Sequence, residues 1–145
     1  MNIERLTAPW WSLRVGVGAA AFLAGFDKFL NLLADWPAYL GPIAAQILPL
    51  SPSSFMHVVG GVEILVGLVI LAGYTRLGGY VAAIWLVGIA ANLVTTGHYF
   101  DIAVRDVIMA IAAFTLARLT EARASEQVGE GVGGLSLLSR EKMIA

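Results

Sequence analysis

Gly60-Gly61-Val62-Glu63-Ile64-Leu65-Val66-Gly67-Leu68-Val69-Ile70-Leu71-Ala72-Gly73-Tyr74-Thr75-Arg76-Leu77-Gly78 is the stretch that decides the fold. Glu63 is the one charge in an otherwise apolar, glycine-spaced run, and Gly73-Tyr74-Thr75-Arg76 is too short for anything but a tight helical hairpin. Beyond the hairpin, Leu77 to Phe100 carries no formal charge. A helix needs about 20 apolar residues to cross the hydrocarbon of a bilayer, and both runs meet that. Composition agrees: of 145 residues, 59% are hydrophobic and 13% charged, against about 45–50% and about 25% in a soluble domain. The mean hydropathy is +0.81. A core of this size could not hide so much apolar surface, so the solvent is lipid. The net charge of -1 gives no electrostatic reason to expect nucleic acid. With no cysteine, disulfides, thiolate nucleophiles, iron–sulfur clusters and sulfur-ligated zinc are excluded.

Outward from this hairpin two more spans follow, giving four near Trp11–Leu33, Phe55–Tyr74, Leu77–Gly97 and Ile102–Leu119. The first and fourth carry ionised groups near one end. The expected architecture is all-α, an integral membrane four-helix bundle over residues 11–119, with residues 1–10 before it and a flexible tail over 120–145. Within that tail Glu121–Gln127 can extend the fourth helix, Gly129–Gly134 reads as a breaker and Leu135–Ala145 as poorly ordered. The first connection, Ala34 to Ser54, carries four prolines, and Ala38–Leu48 is apolar enough to form a short interfacial helix, with Trp36 and Tyr39 at headgroup depth. With the N-terminus inside, Arg5, Arg14, Arg76, Arg118, Arg123, Arg140 and Lys142 fall on the cytoplasmic side, and Lys28 and Arg105 on the other. Both termini are therefore expected to be cytoplasmic, in the cell's inner (plasma) membrane. Ala19-Ala20-Ala21 resembles a signal cleavage site, but the apolar pattern continues through Phe26, which favours a retained helix.

Small residues recur on helical faces. Arg14, Gly18, Gly25 and Lys28 share one sector of the first span; Gly60, Glu63 and Gly67 one of the second; Trp85, Gly88 and Asn92 one of the third; Asp106, Ala110, Ala113 and Ala117 one of the fourth. In lipid, helices associate through such close-packing faces. At 1.5 Å per residue, Glu63 lies roughly 12 Å and Asn92 roughly 8 Å below the outer surface. Arg105 and Asp106 sit about one turn below it, and Asp27 and Lys28 at the outer end of the first span. A charge facing lipid costs at least roughly 2.5–3.5 kcal/mol, so these groups should pair or line a cavity.

Lys28, Glu63, Asn92, Arg105 and Asp106 thus form a candidate polar pocket, with Asp27, His57 and His98 as secondary candidates. Such a pocket suits a quinone headgroup, a small anion or a proton. The plainer alternative is a salt-bridged plug that fixes helix register, with Asp101 pairing Arg105 at i,i+4 and Lys28 snorkelling to the headgroups. Paired with Lys28 or Arg105, Glu63 stays ionised; unpaired, it becomes a proton-carrying acid. Asp27 is expected to reach interfacial water. His57 and His98 lie at span ends, where interfacial solvation explains them at least as well as haem ligation, and no spacing requires a metal.

The quoted stretch resembles the signature of the DoxX family, in which a glutamate in a glycine-spaced apolar helix leads to a Thr-Arg hairpin. Arg14 and Gly25-Phe26-Asp27-Lys28 resemble that family's Arg and Gly-x-x-Lys helix end, and the likeness covers Leu13 to about Leu119. The resemblance implies a four-helix membrane protein, some of whose relatives are small subunits of thiosulfate:quinone oxidoreductases. It carries Lys28 and Glu63 over as site residues, with Arg76 at the hairpin; Asp101–Asp106 maps onto no family motif. No extramembrane domain capable of redox chemistry is evident, so such chemistry would need a partner. The expected role is a non-catalytic or quinone-site-contributing subunit that anchors a quinone-linked redox complex. The partners would be membrane lipid and other subunits of that complex, and the cofactor at most a quinone. A small proton-coupled transporter using Glu63 and an inert assembly subunit are the alternatives.

Overall fold

Helix α1 (Ile3–Leu30) is followed by a 3-10 turn (Trp36–Tyr39), α2 (Pro42–Ile47), α3 (Pro52–Ala72), α4 (Thr75–Thr95) and α5 (Phe100–Ile144). The computed structural model describes the backbone of residues 3–47 and 49–144, with side chains over 6–47 and 49–126. Among the described residues there is no strand. The fold is all-α, and two of its helices, α3 and α4, are long and apolar enough to cross a membrane. The breaker and tail expected at Gly129–Gly134 and Leu135–Ala145 lie outside the residues whose side chains are described.

Helix ends follow from local chemistry. The first helix stops at Leu30 rather than Leu33, because Asn31 takes a left-handed conformation (φ 52°). The Asp27 carboxylate then accepts the N–H groups of Leu32 and Leu33 at 3.2 and 3.0 Å. Helix α3 starts at Pro52, three residues before the expected Phe55. Proline suits a first turn, where its missing N–H is not needed, and Ser51 caps the helix by accepting from Ser54 N–H. It ends at Gly73, whose φ of 114° is glycine's territory. Helix α4 starts at once, at Thr75, and Gly97 (φ 70°) closes the turn into α5.

The expected interfacial helix over Ala38–Leu48 is two pieces, the 3-10 turn and α2, broken at Leu40–Gly41. Pro42 disfavours a helical conformation at the residue before it. Gly41 N–H is instead taken by the Asn92 side chain of α4 at 2.9 Å.

The four long helices pack as two pairs, α1 on α3 and α4 on α5, joined by α1–α5 and α3–α4 contacts. The α1–α3 seam is built on pairs of glycines one heptad apart, Gly18 and Gly25 on α1 and Gly60 and Gly67 on α3. A Cβ on Gly25 or Gly60 would stand 2.6 Å from the other's carbonyl oxygen, and one on Gly67 would stand 2.7 Å from Gly18 O and Phe22 N. The α4–α5 seam uses Gly79, Ala82, Ala83 and Ala90 against Ala103, Ala110, Ala113 and Ala117. Gly88 is exposed with nothing near it, so the expected Trp85–Gly88–Asn92 packing stripe is not the inward face of α4.

All four long helices turn large apolar side chains outward. Leu23 on α1, Leu65 on α3, Ile84 on α4 and Ile111 on α5 are 58%, 62%, 75% and 61% exposed.

Candidate functional site

The glycine seam determines where the charges go. With α1 and α3 backbones touching at Gly25 and Gly60, Lys28 Cβ lies over Gly60 and Glu63 Cβ lies over Gly25. Each charged stem rests on the other helix's missing side chain. The lysine arm runs back along α3, and Lys28 Nζ donates to Glu63 Oε2 at 2.5 Å, with the two side chains only 5% and 9% exposed. Snorkelling of Lys28 to the headgroups is thereby corrected. Its stem starts on the inward face, and the end of α1 at Leu30 leaves no further turn to carry it outward.

The first connection closes over this pair. Trp36 places its ring 3.7 Å from Lys28 Nζ, a geometry that favours a cation over the π face. Its indole N–H donates to Asp27 Oδ2 at 2.8 Å. Asp27 therefore holds three donors from the loop and is buried, not water-reaching as expected. Trp36 meets Tyr39 edge-on at 5.6 Å, and Tyr39 meets Tyr99 at 4.7 Å. Asn92 completes the tether by donating to Tyr39 O at 2.7 Å while accepting from Gly41 N–H.

Of the five primary candidates, Lys28 and Glu63 come together. Asp106 is half-buried and near enough for its charge to act on both. Asn92 belongs to the loop tether, and Arg105 is exposed on α5, without an ion pair to Asp101. Of the secondary candidates, His57 is exposed and stacked on Phe29 at 5.1 Å, and His98 is exposed beside Tyr99. Among the described residues no group of three or more His, Asp or Glu could hold a metal ion. Two residues that periodicity did not single out as site residues are central. Trp36 covers the lysine, and Trp85 on α4 has a buried indole N–H facing the Glu63 carboxylate without a hydrogen bond of good geometry. The signal for Trp36 was its spacing, nine residues after Asp27 in a proline-bounded loop.

Chemically, this is a neutralised, dry ion pair under an aromatic cover. Two apolar grooves lie elsewhere, along α4 and α5. At the other end of α1, Arg14 donates from Nε and Nη2 to Ile70 O and Leu71 O at 3.1 and 2.6 Å. Both carbonyls lie in the last turn of α3, where Ile70 O also accepts from Gly73 N–H and the Thr75 hydroxyl. The Arg14 guanidinium lies 5.1 and 4.7 Å from the Trp10 and Trp11 ring centres.

No curated protein and no solved structure matches the chain. A family model described as DoxX matches residues 10–97. That match takes in Arg14, the Lys28–Glu63 pair, the Trp36 cover and all of α3 and α4. It stops before α5, short of the expected Leu119, so Arg105 and Asp106 lie outside it. On this match, which spans more than half its length, the chain belongs to the DoxX family.

Proposed function

We propose that the chain is an integral membrane subunit of DoxX type that crosses the inner (plasma) membrane four times, with both termini cytoplasmic, and anchors a quinone-linked redox complex. One observation carries the anchoring part. Among the described residues, four helices with apolar exteriors enclose one buried ion pair, Lys28–Glu63, whose charges are satisfied within the chain. Such a body is at home in lipid, and the pair is buried under Trp36 rather than presented to a travelling solute, which favours an anchor over a carrier. The redox partner is what the DoxX resemblance implies.

Purification of the tagged chain from its native membrane in mild detergent tests this. The expected result is copurification with an electron-transfer complex. Solute uptake by the isolated chain in proteoliposomes would overturn the anchor in favour of a carrier. Reporter fusions after Ala45 and after Ser125 test the topology separately, and they should read opposite sides.

A further inference from the structure

One carboxylate at the Arg14 end of the bundle organises two guanidinium groups. Glu121 on α5 accepts from Arg76 Nε on α4 at 2.8 Å and from Arg118 Nη1 on α5 at 2.6 Å, and Tyr80 OH adds a third donor at 3.1 Å. Glu121 takes one N–H from each arginine and neutralises one of the two charges. Both guanidinium side chains stay largely open to water, 68% and 63% exposed. Arginine forks held in place lose less entropy when they meet a phosphate and match its geometry. Charge over the whole molecule points the same way. Among residues 6–126 this end carries Arg14, Arg76, Arg118 and Arg123 against Glu121 and Glu126, whereas the opposite end carries Asp27, Asp35, Glu63, Asp101 and Asp106 against Lys28 and Arg105.

An apolar groove begins one helical turn inward. Ala83 lies one turn beyond Tyr80 and Phe114 one turn before Arg118; with Ile84, Val87, Val107 and Ile111 they line a furrow between α4 and α5. A second furrow shares Val87 and Val107 and continues it to Phe100. From Phe114 to Phe100 the furrow is about 21 Å long at 1.5 Å per residue, more than the depth of one leaflet, about 15 Å. A cationic fork at the mouth of a leaflet-deep apolar furrow has the shape of one kind of ligand.

We propose that this face binds an anionic phospholipid, its phosphate held by Arg76 and Arg118 and an acyl chain laid in the α4–α5 furrow. The proposal rests on the four-span reading only for which leaflet supplies the lipid. The full chain, purified and delipidated in detergent, would be titrated with phosphatidylglycerol or phosphatidylcholine and followed by its thermal unfolding midpoint. One net cation near a charged headgroup is worth about fivefold in affinity, and Glu121 leaves one net positive charge on the two arginines, so phosphatidylglycerol should bind about fivefold tighter than phosphatidylcholine. The Arg76→Gln/Arg118→Gln variant should lose that preference, and Val87→Trp should weaken binding by filling the furrow. Arg105→Gln, at the opposite end, should change nothing. Equal binding of the two lipids by the unmodified chain overturns the proposal, with no variant needed. So does an equal loss in Arg105→Gln, or equal stabilisation by glycerol phosphate, which has the anion but no chain. Because micelles have no sides, a negative result here is distinct from a failure of the topology fusions.

Discussion

Replacing Lys28 by Met removes the cation of the buried pair and keeps most of its volume. Glu63 is then left as a carboxylate on the α1–α3 seam, with the apolar Gly25 and Gly60 backbones on one side and Trp36 above. Breaking one side of a buried pair typically costs about 3–5 kcal/mol, because the remaining charge is uncompensated. Replacing both partners by apolar residues of similar size is often neutral or stabilising by about 1–4 kcal/mol. Lys28→Met and Glu63→Met should therefore each destabilise by at least about 3 kcal/mol, while the double variant returns to the stability of the unmodified chain or above it. Reversible unfolding in mixed SDS–detergent micelles, followed by helicity, reads all four corners of the cycle. Arg76→Gln supplies an internal standard, since its pair with Glu121 is solvent-exposed and worth about 0–1 kcal/mol. If Lys28→Met costs no more than Arg76→Gln, or if the double variant shows the sum of the two losses, the pair is not the closed unit described above.

Gly25→Ala and Gly60→Ala should each push α1 from α3 and cost about 1–3 kcal/mol, since the new methyl meets backbone at 2.6 Å. Gly61→Ala, with nothing within 4 Å, should instead stabilise by about 0.5–1 kcal/mol by restricting the unfolded chain; the same unfolding assay compares them. Asp27→Asn puts an amide where three donors need oxygen, so it should cost about 1–3 kcal/mol and speed proteolysis within residues 34–50, mapped by mass spectrometry. Glu121 is partly shielded from water, which raises its pKa, but the Tyr80 hydroxyl and the Arg76 and Arg118 charges outweigh this and hold it below the ordinary glutamate value. A depressed carboxylate stabilises the fold above its unfolded pKa, and that contribution is lost as pH falls through the folded one. The unfolding midpoint should thus fall less steeply below about pH 4.5 in Glu121→Gln than in the unmodified chain, and the difference should shrink at high salt.

The glycine faces of α1 and α3 were legible because polar landmarks fixed them. Arg14 and Lys28 on one helix and Glu63 on the other could not face lipid, so the glycines sharing their sectors had to face inward. Helix α4 offered less. Periodicity gives the angles between Trp85, Gly88 and Asn92, but it does not say which angle points to the core. In a helix with no charge from Leu77 to Thr95 several faces qualify, and Gly79, Ala82, Ala83 and Ala90 took the role. The Trp36 cover and the Asn92 tether were hidden for a different reason. Both depend on a loop folding back, and Asn92 meets Gly41 across 51 residues of sequence, a distance over which helical spacing carries no information. Where the loop departs was itself set by Asp27, through hydrogen bonds to Leu32 and Leu33 that exist only once the helix has ended.

Among the described residues two side chains of α1, Arg14 and Lys28, make polar contacts to α3, and they differ in kind. Arg14 donates to carbonyls in the last turn of α3, where helical pairing gives out and Ile70 O also takes Gly73 N–H and the Thr75 hydroxyl. Its gain is close to unconditional, and capping accounts for it fully. Lys28–Glu63 lies inside the seam, where the helix backbones already satisfy their own hydrogen bonds and glycine contact already holds the helices together. Lipid supplies no hydrophobic drive for association, so close contact and polar contacts carry the seam. Yet an apolar pair at this position would hold it as well, without two desolvated charges. Stability alone therefore explains Arg14 and leaves Lys28–Glu63 in excess. That excess, beneath a tryptophan held in place by Asp27, is what marks the pair as the candidate site of the chain.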